Sequence, residues 1–134
     1  MRTVWRKFPK DIREFIARYL PSVEHLEIFI VLQRDTTRSW SAPDMSTELR
    51  IPDFTAEDVL ERLASDNFLD VKISNEILYR FNPATTALET AAALCADLYA
   101  RERIAMINLV MVATLGPMVD FAEAFRIKKG TRDG

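Results

Sequence analysis

The stretch that decides the fold is residues 41–81, SAPDMSTELRIPDFTAEDVLERLASDNFLDVKISNEILYRF. It opens with Ser41 ahead of an early proline and an acid, which is typical of a helix start, and this short helix is predicted to end near Leu49. The proline-containing segment 50–54 interrupts the helical pattern. Thr55 then opens a second helix, predicted over residues 55–67, in the same capping manner. Two helices separated by a tight turn are therefore expected.

Beyond Asn67 the apolar pattern changes from a helical to an extended period. Residues 68–73 and 77–81 are rich in β-branched and aromatic side chains and are predicted to be strands. The polar tripeptide 74–76 between them fits a tight turn. The pattern therefore predicts one β-hairpin directly after the second helix.

Amphipathic helices are also predicted on both sides of this unit. Residues 9–20 and 22–33 carry apolar side chains at helical spacing, and Ser22 is the expected N-cap of the second of these helices. After the hairpin, Thr86 opens a third capping box and one long helix, which is expected to continue as far as Gly116-Pro117.

The C-terminal part continues with a last short helix over residues 117–127. The apolar stretch 104–115 is too short to span a bilayer and is interpreted as a buried helix. The predicted fold class is mostly α with a small β-hairpin. It is a single domain over 1–134, with a core unit at about 22–83 and a C-terminal helical segment at about 86–128.

The order of elements over residues 26–81 resembles that of a winged helix-turn-helix domain, in which apolar residues lock two helices at a steep angle. The residues that carry the resemblance are Leu49 at the end of the short helix, Ile51 and Phe54 as an apolar plug, Val59 and Leu63 in the next helix, and Asp66-Asn67-Phe68-Leu69 at the exit. The flanking helices resemble, more distantly, those of MarR-type dimeric regulators, although this chain is short for that family and its wing turn is shorter. The resemblance implies a transcriptional regulator that binds DNA. It also implies a dimer whose subunits associate through their terminal helices.

Charge is unevenly distributed along the chain. Residues 1–20 hold six basic residues against two acidic ones, residues 126–134 hold four against one, and the segment between them holds eight against seventeen. The helix predicted at 55–67 is part of this acidic body. Its charged residues are Glu57, Asp58, Glu61 and Asp66 against a single Arg62. A recognition helix needs donors and cations for phosphates and base edges, so this composition departs from the DNA-binding pattern.

Basic residues outside that helix are the candidate nucleic-acid contacts. They are Arg38, Arg50, Lys72 and Arg80, together with an N-terminal arm formed by Arg2, Arg6, Lys7 and Lys10. The alternative for the scattered residues is solvation alone. The alternative for the arm is pairing with the acidic body of a neighbouring subunit.

No catalytic, cofactor or metal chemistry is predicted. His25 is the only histidine and Cys95 the only cysteine, so an internal disulfide, a His/Cys metal site and a catalytic triad with a second imidazole lack their residues. With three glycines no Gly-rich phosphate loop is expected. His25 is interpreted as a partly exposed surface residue and Cys95 as an inert buried thiol. We expect a cytoplasmic protein with no signal peptide, no membrane association and no enzymatic activity.

Two features rich in aromatic residues could form a surface that binds a partner. Trp5 and Trp40 lie in polar surroundings, where each either covers the core or anchors an interface. The final helix, with Met118, Phe121 and Phe125, packs on its own chain or on a neighbour, and a homodimer is the favoured interpretation.

Two functional hypotheses follow. The first is a winged-helix transcriptional regulator that binds DNA, as a dimer, through the arm, the turn and the wing. The second is a winged-helix protein-protein interaction module whose acidic helix does not bind DNA. One contiguous basic face would favour the first hypothesis, and basic residues dispersed among carboxylates would favour the second.

Overall fold

The computed structural model describes residues 8–114, in which two helices precede a helix-turn-helix with a small sheet and two more helices follow it. The elements are α1 (Lys10–Tyr19), α2 (Val23–Arg34), β1 (Ser39–Trp40), α3 (Ala42–Leu49), α4 (Asp53–Ser65), β2 (Leu69–Ile73), β3 (Ile77–Phe81), α5 (Thr86–Arg101) and α6 (Arg103–Thr114). The prediction of a mostly helical chain with a β-hairpin wing is confirmed. Trp5 and the helix predicted at 117–127 lie outside the described residues.

Serine caps fix the starts of α2 and α3. The Ser22 hydroxyl accepts a hydrogen bond from the backbone N–H of His25 at 3.1 Å, and the Ser41 hydroxyl accepts one from the N–H of Asp44 at 3.1 Å. Each bond satisfies one of the amide groups that the first helical turn leaves without a backbone acceptor. Both capping predictions are confirmed.

The start of α4 differs from its prediction. The helix begins at Asp53 after Pro52, which makes no side-chain cap bond, so Thr55 lies inside the first turn. The extended backbone of Pro52 and the acidic Asp53 at the positive end of the helix dipole together suit a helix start two residues earlier. As a result Phe54, expected as an apolar plug, lies on the helix surface and is 70% exposed. Ile51 alone packs against the core.

The sheet has three antiparallel strands in the order β1-β3-β2, one more than the predicted hairpin. Tyr79 of β3 pairs with Val71 of β2 on one side and with Trp40 of β1 on the other. β1 is only two residues long and pairs with a strand some forty positions away, so no local pattern reveals it. It connects the start of α3 directly to the wing.

The predicted long helix is two helices. Backbone dihedrals at Glu102 are φ −140° and ψ 60°, outside the helical region, and they separate α5 from α6. The break lets α6 fold back against α1, α2 and α5, where Met106, Leu109 and Val110 become buried. An unbroken helix would carry these side chains away from the core. The N-cap of α5 is Thr85, not Thr86, so the predicted capping box is also wrong by one residue.

Aromatic rings join the N-terminal helices to the wing. Phe68, at the exit of α4, has its ring centroid 5.1–5.8 Å from the rings of Phe15, Tyr19 and Phe29. Edge-to-face arrangements at such distances add to the free energy gained by burial. The helix-turn-helix and the wing are therefore held on one shared core.

Within residues 8–114, no helix is long and apolar enough to cross a membrane.

Candidate interaction surface

Helix α4 has one buried face and one acidic face. Leu60, Leu63, Ala56 and Val59 are buried in the core. The opposite face exposes Phe54 and Arg62 together with the carboxylates of Asp53, Glu57, Asp58 and Glu61. Arg62 pairs with Asp66 at 3.3 Å, so the cation of this face is already engaged. The exposed face of α4 is therefore strongly negative.

Tyr79 shows which side of α4 lies toward the wing. Its pKa is raised above the usual tyrosine value, mainly by burial and then by the negative charges of Glu61 and Glu57. These carboxylates must lie close to the phenol for their charges to act on it. Phe54, Glu57 and Glu61 are spaced three and four residues apart, so they share one face of the helix. Helix α4 packs against β2 of the hairpin, and the side of α4 that carries Glu57 and Glu61 is the one nearest the Tyr79 phenol.

The inner face of the hairpin is apolar along its whole length. The cross-strand pairs on this face are Leu69 with Phe81, Val71 with Tyr79, and Ile73 with Ile77. The first pair is buried, whereas Ile73 and Ile77 at the tip are 76% and 43% exposed. The hairpin extends beyond the body that covers its base, so its apolar face emerges into solvent.

The outer face of the hairpin carries Asp70, Lys72 and Arg80 beside the half-buried Leu78, and two of its charged side chains are paired. Asp70 accepts hydrogen bonds from Asn82 and from Arg80, each at 2.9 Å. The bond from Asn82, with the bond and charge of Arg80, holds the pKa of Asp70 below its usual value. Lys72 shares this face, two residues along the strand from Asp70. The structure thus brings two predicted contact residues, Lys72 and Arg80, together but places a carboxylate with them.

Arg38 lies elsewhere, stacked on the ring of Trp40. Its guanidinium carbon is 3.5 Å from the ring centroid, an arrangement typical of a cation–π contact. Trp40 itself is buried, which confirms the interpretation that it covers the core.

Beside the stack is a shallow cleft of about 160 Å³, lined by Val31, Arg34, Asp35, Arg38, Trp40 and Glu48. Arg34 and Glu48 form an ion pair at 4.0 Å across it, so positive and negative charges alternate here.

Arg50 caps the C-terminus of α3 in a left-handed conformation, with φ 57°. Its side chain is exposed, and so is that of Lys72. Neither residue has an ion pair or hydrogen-bonded side-chain partner within residues 8–114. Of the N-terminal arm only Lys10 is described, and it pairs with Glu14 at 4.0 Å. Of the predicted contact residues that the structure describes, only Lys72 and Arg80 therefore lie together, and Arg80 and Lys10 are paired with carboxylates.

His25 and Cys95, the only histidine and the only cysteine in the sequence, are both at least partly buried. Half-buried His25 places its Nδ1 2.8 Å from the Ser22 hydroxyl, and burial, followed by the nearby charge of Arg62, lowers its pKa. Cys95 is fully buried, which raises the pKa of its thiol to about 12. The partial exposure predicted for His25 and the burial predicted for Cys95 are confirmed. In the part of the chain that the structure describes, no cluster of His, Cys, Asp and Glu is arranged to hold a metal ion.

Sequence reasoning missed the apolar members of the α4–wing surface. Phe54 was expected to be buried, and the exposure of Ile73 and Ile77 was not anticipated, because a strand with one apolar face ordinarily packs that face on the core. The signal that could have predicted this exposure was the length of the hairpin, which exceeds that of the elements able to cover it.

Comparison with family models, curated proteins and solved structures finds no match for this chain.

Proposed function

We propose that this chain is a winged-helix protein-protein interaction module and that α4 and the hairpin form its binding surface. The observation that carries this proposal is the exposed face of α4, where Phe54 lies with carboxylates that have no cation partner within residues 8–114. An apolar side chain among unpaired charges is typical of a protein-binding surface, because its burial favours association and the charges select the partner. The family resemblance to winged-helix regulators stays a prediction.

The same face argues against α4 as a DNA-reading helix. A helix in the major groove lies between two rows of phosphates, and cations supply most of the binding free energy there. Asp53, Glu57, Asp58 and Glu61 would instead be repelled by those phosphates. The acidic face therefore supports a protein partner over a nucleic acid.

DNA binding is the second candidate function, and the exposure of Arg50 and Lys72 is the observation in its favour. Arg50 lies in the turn before α4 and Lys72 on the wing, two positions from which a winged helix can contact the DNA backbone. Arg38 and Arg80 would contribute less, since one is stacked on an indole and the other is paired with a carboxylate.

Titration of mixed-sequence duplex DNA at low salt, followed by fluorescence anisotropy, separates the two functions. We expect no binding at roughly 10 µM protein, a concentration at which non-specific DNA-binding proteins associate with duplexes. Binding that weakens steeply with salt would contradict the proposal. In that case Arg50→Ala and Lys72→Ala should each reduce the salt slope by about 0.9. Arg101→Ala, at an arginine paired with Asp97 on α5, is the matched control.

A homodimer formed through the C-terminal helices is part of the proposal. After Arg103, helix α6 has no charged residue as far as Thr114. Ile104 and Met111 lie on one face of this helix, seven residues apart, and are 70% and 49% exposed. The half-buried Asn108 lies between these two side chains on the same face. An exposed helix face that is uncharged and mostly apolar is typical of a subunit interface. We assign a second copy of this chain as the occupant of that face.

Substitution of Ile104 by aspartate tests the dimer. We expect wild-type protein to elute as a dimer and Ile104→Asp as a monomer in size-exclusion chromatography with light scattering, because the carboxylate would be buried without a partner. Ile73→Asp introduces the same change at an equally exposed isoleucine of the wing and should leave the dimer intact. A monomeric wild type, or an equal effect of both substitutions, would rule out this interface.

A further inference from the structure

We infer that the α4–wing surface binds a basic polypeptide segment that carries a bulky apolar side chain, an inference that rests on the proposed function. We define the α4–wing surface as Phe54, Glu57 and Glu61 of α4 together with Val71, Ile73 and Ile77 of the hairpin. The three α4 residues share a helix face, and the three hairpin residues share a sheet face. Helix α4 packs against strand β2, so the helix face and the sheet face adjoin where these two elements meet, beside the buried Tyr79.

The charge of the surface specifies a cationic partner. Glu57, Asp58 and Glu61 form no ion pair within residues 8–114. The nearest basic side chain on the same helix, Arg62, is held by Asp66. Lysine or arginine side chains of a partner would therefore meet carboxylates that have no competing cation from this part of the chain. Charge complementarity of this kind speeds association and excludes acidic partners.

The exposed apolar residues of α4 and of the hairpin specify a second property of the partner, which is a large apolar side chain. Phe54 is 70% exposed and Ile73 is 76% exposed, so most of each side chain is in water. Burial of an aromatic or branched aliphatic side chain against them would contribute binding free energy that charge pairs at a wet surface do not supply. A partner segment with cationic residues and one large apolar residue satisfies both sides of the surface.

A polypeptide fits this chemistry better than the other common anionic or cationic ligands. Nucleic acids and anionic membrane surfaces carry the same sign of charge as Glu57 and Glu61 and would be repelled. A small cation alone would leave Phe54 and the hairpin tip exposed. The combination of unpaired acids and uncovered apolar groups is satisfied by a basic, partly apolar segment of another protein.

Selection from a random 16-residue peptide library displayed on phage tests the inference with full-length protein as the target. The enriched peptides are then synthesised with a fluorescent label and titrated against wild-type protein and variants. We expect enriched sequences to carry a net positive charge and at least one Trp, Phe, Leu or Ile. The Glu57→Lys/Glu61→Lys variant should bind them at least a hundredfold more weakly, and Phe54→Ala about tenfold more weakly.

Matched controls separate the surface from overall charge. Glu24→Lys/Glu89→Lys changes the net charge by the same amount at two exposed carboxylates on α2 and α5 and should bind within about twofold of wild type. Every substituted side chain is exposed, and circular dichroism and thermal melting confirm that each variant is folded. A general charge effect would weaken both double variants equally and would overturn the inference.

The remaining outcomes distinguish the inference from the proposed function. Neutral or acidic peptides that bind wild type and lose affinity with Phe54→Ala would overturn the basic partner but leave α4 and the wing as a protein-binding surface. Basic peptides whose affinity is unchanged by Phe54→Ala and by Glu57→Lys/Glu61→Lys would overturn both. Failure to enrich any peptide relative to the Glu57→Lys/Glu61→Lys variant would also overturn both.

Discussion

Phe68→Ala is expected to lower the free energy of unfolding by about 3–5 kcal/mol, which is a large fraction of the stability of a domain of this size. The Phe68 side chain is fully buried, and its ring meets those of Phe15, Tyr19 and Phe29 nearly edge to face in all three pairs. Truncation removes the burial of the ring and leaves a cavity where α1, α2 and the start of the wing converge.

Urea denaturation followed by circular dichroism measures the loss. Phe54→Ala is the matched control, since it makes the same substitution at a phenylalanine that is 70% exposed. We expect it to change the free energy of unfolding by no more than about 0.5 kcal/mol. Equal losses in the two variants would mean that Phe68 does not hold the wing to the helices as described.

Cys95 is expected to react with thiol reagents on the order of a thousandfold more slowly in the native protein than in the unfolded chain at pH 8. The thiolate is the reactive species, and burial raises the thiol pKa to about 12 from an ordinary value near 9. The side chain is also fully buried, so a reagent reaches it only when the structure opens. Labelling followed by mass spectrometry, with and without guanidinium, gives both rates. Rates within about tenfold of one another would contradict the burial of Cys95.

The same shift predicts a loss of stability in alkali. Since the folded pKa is raised, the unfolded state loses its Cys95 proton at lower pH than the folded state does. The stability contributed by the neutral thiol is therefore fully present below about pH 9 and is lost as the pH rises toward 12. Comparison of wild type with Cys95→Ala at pH 8 and pH 10.5 isolates this contribution, because the other titrating groups are common to both proteins. The pH-dependent loss should be smaller in Cys95→Ala.

Local signals predicted much of the fold. Ser22 and Ser41 start their helices as expected, because a serine hydroxyl that caps free amide groups acts within three residues of its own position. The two wing strands follow from alternating apolar residues, and the hairpin turn at residues 74–76 follows from its polarity. These features depend on neighbours in the sequence, so the sequence displays them directly.

Features that depend on distant parts of the chain were missed. Thr55 and Thr86 have the same local pattern as Ser41, yet the N-cap of α4 is Pro52, three residues before Thr55, and that of α5 is Thr85, one residue before Thr86. The break at Glu102 serves the packing of α6 against α1 and α2, which no residue near Glu102 indicates. For the surface, the acidity of α4 was evident from composition. The exposure of Phe54 was not, because it depends on where α4 begins.

The two-residue strand β1 has a consequence for how the binding surface behaves. Trp40 pairs with Tyr79 at the centre of the sheet, and the next residue, Ser41, caps α3. A displacement of the wing away from α4 must therefore break this pairing or pull on the start of the helix-turn-helix. At Tyr79 and Arg80 the strand β3 is paired on both edges, so the base of the wing and the part of the surface beside it are preorganised before a partner arrives. Association then loses little conformational entropy on this side of the complex, and the ordering cost falls on the partner segment.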